Sequence, residues 1–411
     1  MESYIVEWIN LLARFAHVIT GIAWIGASFY FVWLDNHLQP PKREADIEQG
    51  VGGEVWSVHG GGFYHAQKYT IAPPELPETL HWFKWEAYTT FMTGVFLLAL
   101  MYWYQAEIYL IDPSVMDIGK PIAVSLGMLT IAGGWFAYDL LCKSALGKND
   151  AALAAIMFVL LTITAYVLCQ VFSGRGAYMH FGAMLGTIMV ANVFFVIMPG
   201  QRDLVAAKKE GRAPEAIHGI KAKQRSVHNT YFTLPVLFVM ISNHYAMTYA
   251  HEYNWLILIG LSVAGALIRI FFVQRHKGQA SPITLVVAAL LIIAIIWLIR
   301  PDIKPTPHNA SSADSSSALP LLSKAELNSL AHEIVINRCV SCHAETPAHP
   351  GFMAAPKGIL LETPEQMIQH AQSVYQQTVV TKAMPIGNLT GITNEERSRL
   401  GEWFTGSAWL P

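Results

Sequence analysis

Eight stretches of nearly unbroken apolar residues constrain this chain more tightly than any other feature. They lie at 15–34, 87–109, 121–141, 152–172, 177–198, 231–250, 255–273 and 283–299. Each is near the roughly 20 residues with which an α-helix crosses a hydrocarbon layer, where only a structure that satisfies its own backbone survives. Overall 53% of residues are hydrophobic and 14% charged, against about 25% charged in ordinary soluble domains. The expected fold is all-α, with an eight-span transmembrane helix bundle over residues 1–304. Membrane lipid is its expected surrounding, and nucleic acid is not an expected partner.

Beyond the last stretch the composition changes. Residues 305–320 are rich in Ser, Pro and Ala and read as a disordered tether. About 90 residues then remain at 321–411, enough for one small domain. That domain carries Cys339-Val340-Ser341-Cys342-His343, a CxxCH run of the kind that attaches a c-type haem. Cys339 and Cys342 are spaced to bond one porphyrin, and His343 is placed to bind its iron. A zinc knuckle is the alternative, but no second Cys/His pair completes four ligands. Met384, in the loop Thr381-Lys382-Ala383-Met384-Pro385, is the expected sixth ligand, ahead of Met353 and Met367. Ser323 with Glu326, and Thr393 with Glu396, read as capping boxes. The helices they open carry Leu330 and Ile334, and Leu400, Trp403 and Phe404, on apolar faces that would pack together beside the haem. The domain is expected to be a small class I-like cytochrome c.

Charge sets the expected orientation. Lys42, Arg43, Lys68, Lys84, Lys143, Lys148, Arg202, Lys208, Lys209, Arg212, Lys221, Lys223, Arg225, Arg275 and Lys277 fall in alternate loops. The other side has little beyond Arg14, Lys120, Arg175, Arg300 and Lys304. The positive-inside rule puts the first set in the cytoplasm and both ends of the chain outside. Covalent haem attachment normally occurs outside the bacterial cytoplasmic membrane, which independently places the C-terminal domain in the periplasm. The first ten residues hold Glu2 and Glu7 and no basic cluster, so they do not read as a cleaved signal peptide.

Histidines inside the spans invite a second cofactor. His17, His180 and His244 are all expected near the outer face, and intramembrane ionisable groups are costly and usually functional. Two of them on facing helices would hold a b-type haem; the alternative is that each hydrogen-bonds a neighbouring helix. Cys142 and Cys169, near span ends, read as small buried hydrophobes. On the cytoplasmic side, the segment 54–69 combines Gly60-Gly61-Gly62 with His59, His65, Gln67 and several aromatics, a mixture that can stack a flat polar ligand. The same segment also reads as an amphipathic connector anchored at the interface. Arg225, His228, Asn229 and Tyr231 approach from that side, with Arg269 near the inner end of the seventh span, and together they suit an anionic, amide-rich ring. The basic ones among them also satisfy the positive-inside rule alone.

Four segments resemble one family. These are Arg14-Phe15-Ala16-His17-Val18-Ile19-Thr20-Gly21-Ile22-Ala23-Trp24-Ile25-Gly26, Val58-His59-Gly60-Gly61-Gly62-Phe63-Tyr64, His81-Trp82-Phe83-Lys84-Trp85-Glu86-Ala87-Tyr88-Thr89-Thr90, and His228-Asn229-Thr230-Tyr231-Phe232-Thr233-Leu234-Pro235-Val236-Leu237-Phe238 followed by Ser242-Asn243-His244. Together they resemble the bacterial membrane-bound urate oxidases, or urate hydroxylases, that carry a C-terminal cytochrome c domain. The resemblance covers nearly the whole chain. It implies oxidation of urate to 5-hydroxyisourate in purine degradation, with electrons passed to the covalent haem c and on to a downstream cytochrome or terminal oxidase, without stoichiometric peroxide. Two locations for urate stay open: the cytoplasmic set of His59, His65, Gln67, Arg225, His228 and Asn229, which is preferred, and an outer set of Arg175, His180, Asn243 and His244. A different class of function is a quinol-linked or terminal-oxidase electron-transfer subunit. No His-His dipeptide occurs in the chain, which weighs against a haem-copper centre.

Overall fold

The computed structural model describes residues 2–279, 281–300, 322–352, 354–406 and 408. The expected tether at 305–320 and the weaker ligand candidate Met353 lie outside the described residues. The N-terminal part consists of α1 (Glu2–His37), α2 (Glu44–Glu48), β1 (Val51–His59), β2 (Gly62–Tyr69), α3 (Trp85–Leu98), α4 (Ala106–Tyr109), α5 (Lys120–Lys143), α6 (Asp150–Val171), α7 (Gly174–Asn192), α8 (Met198–Lys209), α9 (Ala216–Ser242), α10 (Ala246–Tyr249), α11 (Asn254–His276) and α12 (Pro282–Leu298). All eight apolar stretches fall mainly on these helices. Among the described residues, five helical segments are long and apolar enough to cross a membrane: Tyr4–His37, Lys120–Lys143, Asp150–Val171, Gly174–Lys209 and Asn254–His276. The Pro282–Leu298 helix is apolar but shorter.

Local chemistry sets several helix starts. Pro121 opens α5, where its missing N–H costs nothing. Asn149 caps α6 by accepting from the Ala152 amide at 3.0 Å, and Ser173 caps α7 by accepting from Gly176 at 3.0 Å. The core of the bundle gathers around α7, with Tyr178, Phe181, Leu185 and Ile188 almost wholly buried against Tyr138, Phe172 and Leu258. Two π-helical turns, Ala99–Tyr104 and Val193–Ile197, extend α3 and α7; such turns shift the direction of side chains that a regular helix would fix.

The all-α expectation fails at one place. The segment expected to be a loop forms an antiparallel hairpin, β1 paired with β2 from Val51↔Tyr69 to His59↔Gly62. Gly60 and Gly61 form its turn with φ of 58° and 81°, the two successive positive values that a tight two-residue hairpin turn demands. Gly60 and Gly61 therefore serve strand reversal, and Gly62 opens β2. Trp56, Val58, Phe63 and Tyr64 stand exposed on the hairpin.

The C-terminal part contains α13 (Lys324–Arg338), α14 (Pro364–Gln369), α15 (Ala371–Val374), a π turn at Tyr375–Val380, and α16 (Asn394–Thr405). Both expected capping boxes are present, and a third joins Thr363 to Gln366. Helices α13 and α16 pack together through Ile334, Val335, Leu400 and Trp403, which form a core separate from that of the bundle. The Trp403 indole donates to Asn328 at 2.7 Å, locking the pair in register.

Candidate functional site

In the C-terminal part, α13 ends at Cys339, and the next turn folds back so that the amides of Cys342 and His343 donate to the Cys339 carbonyl at 3.1 and 2.9 Å. Cys339 and Cys342 are not joined by a disulfide. Burial pushes the Cys339 thiol up to about 12, so it is no exposed redox thiolate. His343 Nδ1 lies 2.9 Å from the Ile359 carbonyl. A carbonyl only accepts, so Nδ1 carries the proton and Nε2 keeps its lone pair, the tautomer that binds a metal. Met384 sits in a loop held from both sides. Its amide donates to the Gln377 carbonyl at 3.0 Å, and its carbonyl accepts from Arg397 Nη1 at 2.8 Å. The same nitrogen donates to the Thr378 carbonyl. Met367 lies on α14, packed into the core at 2% exposure. Among the described residues, no group of three or more His, Cys, Asp or Glu side chains could hold a metal ion. The two thiols, a correctly protonated His343 and a tethered Met384 loop fit a covalently held haem.

The same unit touches one end of the bundle. Gly387, beside the Met384 loop, faces the rim after α4 so closely that a Cβ there would lie 2.9 Å from the Ile111 carbonyl and 3.3 Å from that of Ile108. A Cβ at Gly351 would meet Ile108 Cδ1 at 2.6 Å. The Asp112 carboxylate of this rim interacts with buried Arg397; burial draws Arg397 below the ordinary arginine range, and Asp112 opposes that shift. The rim is fixed from below, because Ser173 donates its hydroxyl to the Tyr109 carbonyl at 2.8 Å and its amide to Leu110 at 2.9 Å.

Under the rim lies Arg175. Its Nε donates to Asn243 Oδ1 at 2.8 Å, and its guanidinium stands 5.2 Å from the Tyr109 ring centroid. Tyr102 also donates to Asn243, at 3.1 Å. The phenols of Tyr102, Tyr109 and Tyr249 lie close around this cation, and Cys342 lies near Tyr109. A cation ringed by phenols and an amide can take a flat organic anion by charge and stacking.

His180 is fully buried next to this set. Nδ1 bonds to its own helix at Gly176, 2.9 Å away, and Nε2 accepts from the Trp103 indole at 3.2 Å. His17 Nδ1 contacts Thr93 Oγ1 at 3.0 Å and the Thr90 carbonyl at 3.1 Å. His244 lies outside the helical part of its apolar stretch, exposed in the turn that follows α9. His180 and His244 thus offer no free nitrogen inside the bundle, and the arrangement does not fit a b-type haem held by a pair of these three histidines.

The other expected residues divide into two places. Arg225 is salt-bridged to Asp139 at 2.8 Å and donates to Asn192 at 3.4 Å. Asn192 donates to Tyr138 at 3.1 Å and to Asn229 at 2.8 Å, while Tyr138 and His228 Nδ1 share a bond of 2.7 Å. This closed network satisfies its own members and ties α5, α7 and α9 together. On the hairpin, His65 bonds to Glu54 at 2.8 Å and stacks on Trp56 at 4.1 Å. Gln67 lies beside the Asp46 carboxylate. His59 is exposed beside the turn.

These features define a mostly helical protein with several apolar helices and a CxxCH unit docked on one end. The family model described as "Urate oxidase N-terminal" matches residues 3–300, and the chain belongs to that family. Membership supports urate-related oxidation by an oxidoreductase. Comparison with curated proteins and with solved structures finds no match.

Proposed function

We propose that the chain is a membrane-bound urate oxidase that converts urate to 5-hydroxyisourate and delivers the electrons to a haem c on its own C-terminal unit. In this reading residues 1–304 form an eight-span domain, residues 305–320 a tether and residues 321–411 a periplasmic cytochrome c domain. The observation that carries it is the docking of the CxxCH unit on the rim beside Arg175. Electron transfer needs proximity, and of the two candidate anion sets this one adjoins the acceptor.

Urate is an electron-rich purine anion. Urate plus water gives 5-hydroxyisourate, two electrons and two protons. Arg175 would pair with the anion, Asn243 would orient it through its amide, and the tyrosine rings would stack it and exclude bulk water. When bound at Cys339, Cys342 and His343, haem c would supply a one-electron acceptor, reduced and reoxidised twice for each urate. A downstream cytochrome or terminal oxidase would then carry the electrons onward, so oxygen uptake proceeds without stoichiometric peroxide.

The test compares Arg175→Gln and Asn243→Ala with His59→Ala and Gln67→Ala, reading urate-dependent reduction of the c-type spectrum. The first pair should raise the urate requirement about tenfold to a hundredfold, the value of a hydrogen bond to a charged group. The second pair should leave it near that of the parent. The reverse pattern would move the oxidation site to the hairpin side.

A further inference from the structure

Two buried arginines lie in the half of the bundle nearer the hairpin, and they differ in one respect. Arg225 has Asp139 as counter-charge. Arg269, on α11, is 4% exposed, yet its Nε and Nη2 have no hydrogen-bond partner among the described residues. Its guanidinium stacks on the Phe29 ring of α1 at 3.9 Å from the centroid, and the Tyr231 phenol of α9 is close enough to interact with it. An uncompensated buried cation is among the most costly arrangements in a protein, and intramembrane ones mark ligand paths.

The identity of the two orphan nitrogens is informative. Nε–H and one N–H of Nη2 run parallel along one edge of the guanidinium, forming the fork that meets two adjacent acceptors of a planar anion. Phe29 covers one face of the cation with an apolar wall, which favours a flat, weakly hydrated ligand over a tetrahedral phosphate. Arg269 lies well along α11 from Asn254, roughly 22 Å at 1.5 Å per residue, and so far from the docking rim.

We infer that Arg269 anchors a second anion site, in the cytoplasmic half of the bundle, for a flat organic anion with two adjacent acceptor atoms, the class to which urate belongs. The existence of the site stands on the orphaned fork; the choice of urate rests on the function proposed above. Its distance from the CxxCH unit makes it a holding site for the anion, with no oxidation there.

Full-length protein in lipid nanodiscs, its haem reduced beforehand so that no turnover occurs, separates binding from oxidation. In an Arg175→Gln background, labelled urate should still bind, and Arg269→Gln should weaken that binding at least tenfold. Arg269→Lys, which keeps the charge and loses the fork, should weaken it less, and carries the test if Arg269→Gln does not fold. Orthophosphate should not compete, and replacing phosphatidylcholine with phosphatidylglycerol should leave urate affinity unchanged. Urate binding indifferent to both Arg269 variants would overturn the proposal, as would competition by phosphate or by the anionic lipid. Arg269-dependent urate binding in a protein whose haem urate never reduces would uphold the site and sink the redox reading instead.

Discussion

Replacing Arg397 with Gln tests whether the Met384 loop is held in place by this one side chain. Arg397 is 8% exposed, and one of its nitrogens donates to two carbonyls, those of Thr378 and Met384. Hydrogen bonds to a charged group contribute about 1.5–3 kcal/mol each. Gln is too short to reach both, so the loss should be about 3 kcal/mol or more, with two carbonyls left facing an apolar core. For a unit of this size roughly 4–8 °C of melting temperature accompanies each kcal/mol, giving a fall of roughly 12–24 °C. The assay is thermal melting of the full-length protein followed by the near-infrared Met-to-iron charge-transfer band, which should weaken even before unfolding. An Arg397→Gln protein that melts within about 4 °C of the parent and keeps the full band would mean that Arg397 does not hold the loop.

Gly387 sits at φ 56° against the Ile111 carbonyl, so Gly387→Val should lift the CxxCH unit off the rim; stopped-flow reduction by urate should slow while the total reducible haem stays constant. An unchanged rate would mean that docking is not needed. The hydrogen bond from Arg43 holds the Asp46 carboxyl below its usual range, and Gln67 adds to it. A depressed carboxylate contributes stability that is present above its unfolded value and lost as pH falls through its folded one. The packing of the hairpin on α2 should therefore loosen in acid, and Asp46→Asn should remove that dependence, as read from Trp56 fluorescence across the pH range.

The helices were legible because apolar runs near membrane length have few other fates, and the capping boxes at Ser323 and Thr393 stood out because their spacing is fixed. The family was legible too, in the His17, Gly60 to Gly62, Trp82 to Thr90 and His228 to His244 segments. The hairpin was missed although its signal was present: two glycines between alternating residues are a strand-reversal signature, but beside imidazoles they read as a ligand loop. His244 was misplaced because the run 231–250 is apolar past Asn243, where the helix ends. The rim contact could not be read from sequence at all. It joins Ile108 and Ile111 to Gly387, partners remote in the chain, and depends on a Ser173 cap whose second hydrogen bond is purely tertiary. The role of Arg397 was hidden for a similar reason, since a charged residue on an amphipathic helix ordinarily faces water.

The most direct test is to add urate, without oxygen, to the purified full-length protein with its haem oxidised. The reduced c-type spectrum should appear as urate is consumed, and oxygen readmitted with a terminal oxidase should restore the oxidised form without stoichiometric peroxide. A haem that stays oxidised while urate is consumed only in oxygen, with peroxide formed in proportion, would rule out haem-linked oxidation.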